Sequence, residues 1–174
     1  MQTLTVKIAS SGTVFDGGGK SLTGHMWVSI DQDGDGPLTA VSMGFAPIVS
    51  SPFWQGKFFD SDDSHYTSTY YTGTINISAA QYTQLINFGQ NPSNYGFSAI
   101  YLADSNNYVD FTWKALQIIG INPSGFQGDI LPTLIADNVD STLHTYLTGG
   151  LNDWKADGSA FSGYDVIYGS SSAE

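Results

Sequence analysis

The sequence contains no cysteine and no arginine, and its single glutamate is the last residue, Glu174. Without cysteine the chain forms no disulfide, no thiolate metal site and no thiol nucleophile. Five lysines against sixteen acidic residues give a formal net charge of −11 at pH 7. A surface of this charge repels phosphate groups, so we expect no nucleic-acid partner and no attraction to anionic membranes.

Long apolar runs are also missing. No segment approaches the roughly 20 apolar residues that cross a bilayer, so we expect no membrane insertion. Residues 1–10 alternate between polar and apolar side chains instead of forming the apolar region of a signal peptide. If the protein is exported, we expect a route without an N-terminal signal peptide.

The residues that are present favour an α+β fold with one core. The chain has 174 residues, of which 41% are hydrophobic, and this is the size of one domain. Alternating apolar residues predict antiparallel strands, whereas the proline-containing segment 47–68 is interpreted as a loop. The predicted strands cover residues 4–8, 25–30, 41–45, 70–77 and 95–102, with the second and third forming a hairpin.

Two or three helices are predicted to pack on this sheet. Ser78 and Gln81 have the spacing of a capping box, which indicates a helix over residues 79–88. A second helix begins after the capping side chains of residues 105–107 and ends at Gly120. A third covers residues 138–147.

The last segment resembles part of a calcium-binding repeat. Residues 163–170, Gly-Tyr-Asp-Val-Ile-Tyr-Gly-Ser, fit the later part of the nine-residue unit of repeats-in-toxin proteins, with Asp165 at the calcium-ligand position. The resemblance implies a domain over residues 1–158, a repeat tail over residues 159–174, and a bacterial protein secreted by a type I system. The alternative is an ordinary terminus rich in glycine and serine.

A histidine strand and a capped helix carry a second resemblance. His25 stands at the head of a predicted strand, and Asn-Tyr-Val-Asp-Phe-Thr-Trp, residues 107–113, opens the second helix. The pair resembles the circularly permuted papain-like superfamily, which includes the NlpC-type cysteine peptidases and amidases. In that superfamily a strand histidine serves as base for a cysteine at a helix start. The resemblance implies a papain-like fold with catalytic positions His25 and Tyr108, and hairpin pairing suggests Ser42 as the group that orients the imidazole.

Tyr108 departs from the superfamily pattern. It stands where the nucleophilic cysteine would be, and a phenol with a pKa near 10 is a weak nucleophile at neutral pH. The sequence therefore predicts a catalytically inactive relative that keeps its cleft for a peptide, cell-wall or glycan ligand, and that is a monomer. Two alternatives remain open: the residue was altered, or the second helix is only part of the core.

Aspartates suggest calcium as the one possible cofactor. Asp31, Asp33 and Asp35 match the first half of a calcium loop, although Ser42 replaces the closing glutamate and the alternative is a solvated turn. A second cation site or a polar surface loop is open for the acidic segment 60–65. These features, together with aromatic residues that could stack on sugars, support an alternative function as a calcium-dependent, adhesin-like binding module. The aromatic residues are Phe53, Trp54, Tyr66, Tyr70 and Tyr71.

Overall fold

A seven-stranded sheet organises the computed structural model, which describes residues 2–33, 40–48, 53–121, 132–148 and 165–167. The strand order is β6-β4-β3-β2-β1-β5-β7, and every pair from β6 to β5 is antiparallel. The strands are β1 (Thr3–Ala9), β2 (His25–Asp31), β3 (Val41–Pro47), β4 (Phe53–Phe59), β5 (Tyr71–Asn76), β6 (Ile100–Leu102) and β7 (Asp165–Ile167). The predicted α+β class with an antiparallel sheet is therefore confirmed.

One strand lies in a segment that the sequence predicted to be a loop. Strand β4 pairs with β3 on one side and with β6 on the other, so it is an internal strand. Pro47 is compatible with this because β2 pairs only with residues 41–43 of β3, so no backbone donor is needed on that side at position 47. The predicted strand over residues 95–102 is shorter than expected, since only residues 100–102 pair.

The predicted helices are present with the expected caps. They are α2 (Ala79–Gln90), α3 (Tyr108–Ile118) and α4 (Ala136–Thr148), and a four-residue helix, α1 (Asp62–His65), precedes them. The Ser78 side chain accepts a hydrogen bond from the Gln81 backbone, and the Gln81 side chain accepts one from Ser78 in return, which completes the predicted capping box. Two single 3-10 turns, Pro92–Tyr95 and Pro132–Ile135, connect elements.

The core lies between the sheet and the helices. Helix α3 packs against β2 and β3, and α4 packs against β5. Alternate residues of β2 serve the two faces of the sheet: Met26 and Val28 join the core, whereas Trp27 and Ser29 bond to α1. The sheet thus separates an apolar core from a polar network that surrounds α1.

Strand β7 pairs with β5 in parallel, so that Thr72 lies opposite Asp165 and Thr74 opposite Ile167. Part of the predicted repeat tail therefore extends the sheet at its β5 edge. The division of the chain into residues 1–158 and 159–174 stays a prediction.

Candidate functional site

A buried histidine and a buried aspartate form the centre of the site. His25 is the first residue of β2 and is 2% exposed, and Asp62, the first residue of α1, is 3% exposed. The imidazole Nε2 lies 3.1 Å from Asp62 Oδ1. Because a carboxylate accepts hydrogen bonds and does not donate them, Nε2 is the donor in this contact, and in the neutral tautomer with this donor Nδ1 has the free lone pair.

Two glycines make room for this pair. Gly24 has a φ of +90°, which lets the chain turn sharply into β2 immediately before His25. Gly44, in the middle of β3, lies beneath the pair. A Cβ atom there would overlap Asp62 Oδ2 and would lie 3.0 Å from His25 Nε2. The contact between imidazole and carboxylate thus depends on a missing side chain at position 44.

A polar network holds α1 against the sheet. The carboxylate of Asp63 accepts hydrogen bonds from Lys7 Nζ at 2.8 Å, from Trp27 Nε1 at 2.6 Å and from the Ser29 hydroxyl at 2.7 to 2.8 Å. The Ser42 hydroxyl accepts a hydrogen bond from the Asp63 backbone N–H at 3.3 Å. Because Asp62 precedes Asp63 in the chain, this network fixes the carboxylate that contacts His25.

Aromatic rings surround the imidazole. Tyr66 stacks on it with ring centroids 4.9 Å apart, and Trp27 lies 5.7 Å away in a nearly parallel plane. Tyr108 meets it edge to face, with centroids 5.2 Å apart and planes at 66°. The imidazole is therefore enclosed by three rings in addition to the Asp62 carboxylate.

The amino end of α3 supplies the third ring. The Asn107 side chain accepts hydrogen bonds from the backbone N–H groups of Val109 and Asp110, and the Asp110 carboxylate accepts one from the Asn107 N–H. Tyr108 is the first residue of this helix, and its hydroxyl donates to Thr23 Oγ1 at 2.7 Å. Burial raises the pKa of Tyr108, so its phenol stays neutral at physiological pH.

Two of the three predicted catalytic positions come together. His25 and Tyr108, 83 positions apart in the sequence, are in ring contact. Ser42 does not join them: the hairpin pairs it with Ser29, four residues along β2 from His25, and its hydroxyl bonds to the Asp63 backbone instead. The expected register was wrong since Ser42 is near the start of β3, and residues near a hairpin turn pair with the end of the preceding strand.

Sequence reasoning missed the residue that contacts the imidazole. Asp62 was considered only as part of a cation site, and nothing local relates it to a histidine 37 positions away. One signal was available, because a glycine within a strand, such as Gly44, often marks a close approach by another group. Thr23 and the stacking role of Tyr66 carried no comparable signal.

The proposed cation ligands are only partly within the described residues. Asp31 Oδ1 accepts a hydrogen bond from the Asp33 backbone N–H at 3.1 Å, while Asp35 lies outside the described residues and Asp165 is described only as strand backbone. In the segment 60–65, the carboxylates of Asp62 and Asp63 bond to the protein instead of facing a common cation. Among described residues, no group of three or more histidines or acids is placed to hold a metal ion.

The aromatic residues proposed for ligand stacking divide into two groups. Phe53 and Trp54 are 64% and 53% exposed, whereas Tyr71 is fully buried, Tyr70 is partly buried against the core and Tyr66 covers His25. Trp54 lies directly opposite Tyr101, whose ring centroid is 6.4 Å from that of Tyr108. Ring neighbours therefore extend from the imidazole through Tyr108 to Tyr101, and the exposed Trp54 is the strand partner of Tyr101.

None of the helices in the described ranges is both long and apolar enough to cross a membrane. Comparison with protein-family models, with curated proteins and with solved structures finds no match to this chain.

Proposed function

We propose that this protein is a catalytically inactive relative of papain-like cysteine peptidases and amidases, with a general-base pair that has lost its nucleophile. The observation that carries the proposal is the buried contact of His25 Nε2 with Asp62 Oδ1, beside the first residue of a capped helix. In this proposal Asp62, not Ser42, orients the base.

The chemistry of the pair is that of an oriented base. Asp62 holds the proton on Nε2, so Nδ1 of the neutral imidazole has a lone pair with which to accept a proton. The amino end of α3 adds about half a positive charge, which stabilises an anion at position 108. A thiol at this position would thus have both features that lower its pKa, a neighbouring imidazole and a helix N-terminus.

Tyr108 explains the expected lack of activity. Its pKa is raised by burial, and its hydroxyl donates a hydrogen bond to Thr23. The phenol therefore lacks the anionic character that a nucleophile needs. The cleft beside it would serve for binding, and a peptide, cell-wall or glycan ligand is the proposed class.

Restoring the nucleophile tests the proposal. We expect the Tyr108→Cys variant to form a covalent acyl-protein with p-nitrophenyl acetate, detected by intact-protein mass spectrometry after brief exposure at pH 7. The wild-type chain should form no acyl group at position 108. The Ser105→Cys variant, which places a thiol at an exposed position before the same helix, gives the reactivity of a thiol without the base.

The double variant Tyr108→Cys/His25→Ala provides the decisive control. If His25 acts as base, the double variant acylates at least about a hundredfold more slowly than Tyr108→Cys, at the low end of the usual contribution of a general base. Equal rates in the two variants would refute the proposed pair, and so would a rate for Tyr108→Cys that does not exceed that of Ser105→Cys.

A further inference from the structure

The imidazole of His25 is closed off from solvent by a contact that crosses the site. Thr23 lies in an exposed segment just before β2, whereas Tyr108 begins α3 and is 5% exposed. The hydroxyl of Tyr108 reaches Thr23 Oγ1 at 2.7 Å and so joins two segments that are 85 positions apart in the chain. The ring of Tyr108 contacts that of His25, which follows Thr23 by two residues.

The other sides of the imidazole are covered by fixed groups. Trp27 is held by its hydrogen bond to Asp63, and Gly44 belongs to the backbone of an internal strand. Tyr66 stacks flat on the ring, and its backbone N–H bonds to the Asp62 carbonyl. The Tyr108–Thr23 contact differs from these because its acceptor belongs to an exposed residue, so a side-chain rotation can break it.

A buried carboxylate oxygen gives a second, independent observation. Asp62 Oδ2 has no hydrogen-bond partner in the part of the chain that the structure describes. A buried polar atom without a partner destabilises the folded state, and it needs an explanation in a native protein. The closed pair therefore carries an unfavourable contribution that a water molecule next to Asp62 Oδ2 would relieve.

We propose that Tyr108 and Thr23 form a lid over the His25–Asp62 pair, an autoinhibitory contact that keeps water and ligands from the imidazole until it opens. The inference rests on the proposed function in treating this pair as the centre of the site. It adds that the imidazole is covered in the resting protein, so a ligand must displace the Tyr108 ring to reach His25.

Chemical modification of His25 measures the lid directly. The reagent is diethyl pyrocarbonate, which acylates accessible imidazoles, and the rate at His25 is read by peptide mass spectrometry. The less buried His65 in the same molecule provides the reference rate. Tyr108→Phe removes only the hydroxyl donor, and Thr23→Val removes only the acceptor, so both variants keep the shapes of the side chains.

We expect each of these two variants to raise the His25 rate about fivefold relative to His65, the factor expected for loss of one hydrogen bond of ordinary strength. The double variant should show no further rise, since both changes remove the same bond. An unchanged rate of His25 modification in either single variant would refute the proposed lid.

Tyr108→Ala should give a larger rise, and 4-methylphenol, which has the shape of the missing side chain, should protect His25 again. The matched control is Tyr101→Ala, which removes a neighbouring ring of similar burial that is not in ring contact with His25. If Tyr101→Ala exposes His25 as much as Tyr108→Ala does, general loosening explains the result and the lid is refuted. The modification rates of His25 do not depend on a nucleophile at position 108. The lid can therefore be refuted while the acylation experiment supports the proposed base, and the acylation experiment can refute the base while the lid is supported.

Discussion

At position 44, β3 lacks a side chain where the carboxylate of Asp62 approaches it, and this absence determines whether Asp62 can reach His25. A Cβ atom there would overlap Asp62 Oδ2. Gly44 pairs with Phe59 of β4, and the residues just before it pair with β2, which restrains its backbone against moving away from the contact. The arrangement of the site is therefore set partly by a residue that makes no hydrogen bond through a side chain.

The Gly44→Ala substitution should lower the free energy of unfolding by about 1–3 kcal/mol, the usual cost of overpacking a tight site. Urea denaturation measures this loss. In an Asp62→Ala background the same substitution should cost much less, because the overlapping carboxylate is gone. Equal costs in the two backgrounds would show that Gly44 is required for a reason other than its contact with Asp62.

Four tyrosines in the described part of the chain, three of them buried and Tyr66 half-buried, give the protein a predictable response to alkaline pH. Burial is the main cause that raises the pKa of each phenol in the folded state, with the Asp62 charge adding to the effect at Tyr66 and the Asp140 charge at Tyr71. The other two phenols are those of Tyr101 and Tyr108. Because these folded-state pKa values are higher than the unfolded value near 10, the unfolded chain loses protons first as pH rises.

Their contribution to stability is therefore complete below about pH 10 and is lost as the pH rises through the folded-state pKa values. Urea midpoints measured at intervals from pH 8 to pH 11 should fall only above about pH 10. The Tyr71→Phe variant should show a smaller fall over that interval. A fall of equal size in this variant would mean that Tyr71 does not contribute to the alkaline loss.

Among the elements, those with local signals could be predicted from the sequence, and those that depend on distant partners could not. Ser78 and Gln81, and Asn107 before α3, identified two helix starts because caps satisfy backbone donors within a few residues. Strand β4 was missed since its pairing with β3 and β6 is not visible locally. The same limit applies to Asp62, which reaches His25 only because β3 and β4 return the chain to β2.

The two capping boxes allow a matched test of what the amino end of α3 does. Asn107→Ala removes a side chain that accepts two backbone hydrogen bonds, and Ser78→Ala removes the equivalent cap from α2. Both should lower the free energy of unfolding by about 1 kcal/mol. In the Tyr108→Cys background only Asn107→Ala should slow acylation, because only that helix begins at the site. Slowing of equal size by Ser78→Ala would assign the effect to general stability.

At the scale of the whole molecule, the net charge of −11 affects both stability and cation binding. Self-repulsion of the acidic groups is screened by any salt, so sodium, magnesium and calcium should all raise Tm to some degree. The proposal that the segment 31–36 and Asp165 bind calcium makes a stricter prediction. Calcium should raise Tm more than magnesium at equal millimolar concentration, since calcium accepts more oxygen ligands in flexible geometry. Equal rises would indicate screening alone.

The anionic α+β domain contains a histidine–aspartate pair that is closed off from solvent beside the start of α3. The central claim is that His25 is placed to act as base for a thiol at position 108. The most direct measurement is the pH dependence of iodoacetamide alkylation of the thiol introduced by Tyr108→Cys, with and without His25→Ala. The account predicts a thiol pKa below the ordinary value of about 8.5, and a rise in that pKa when His25 is removed. A thiol pKa at or above the ordinary value that does not change on loss of His25 would contradict it.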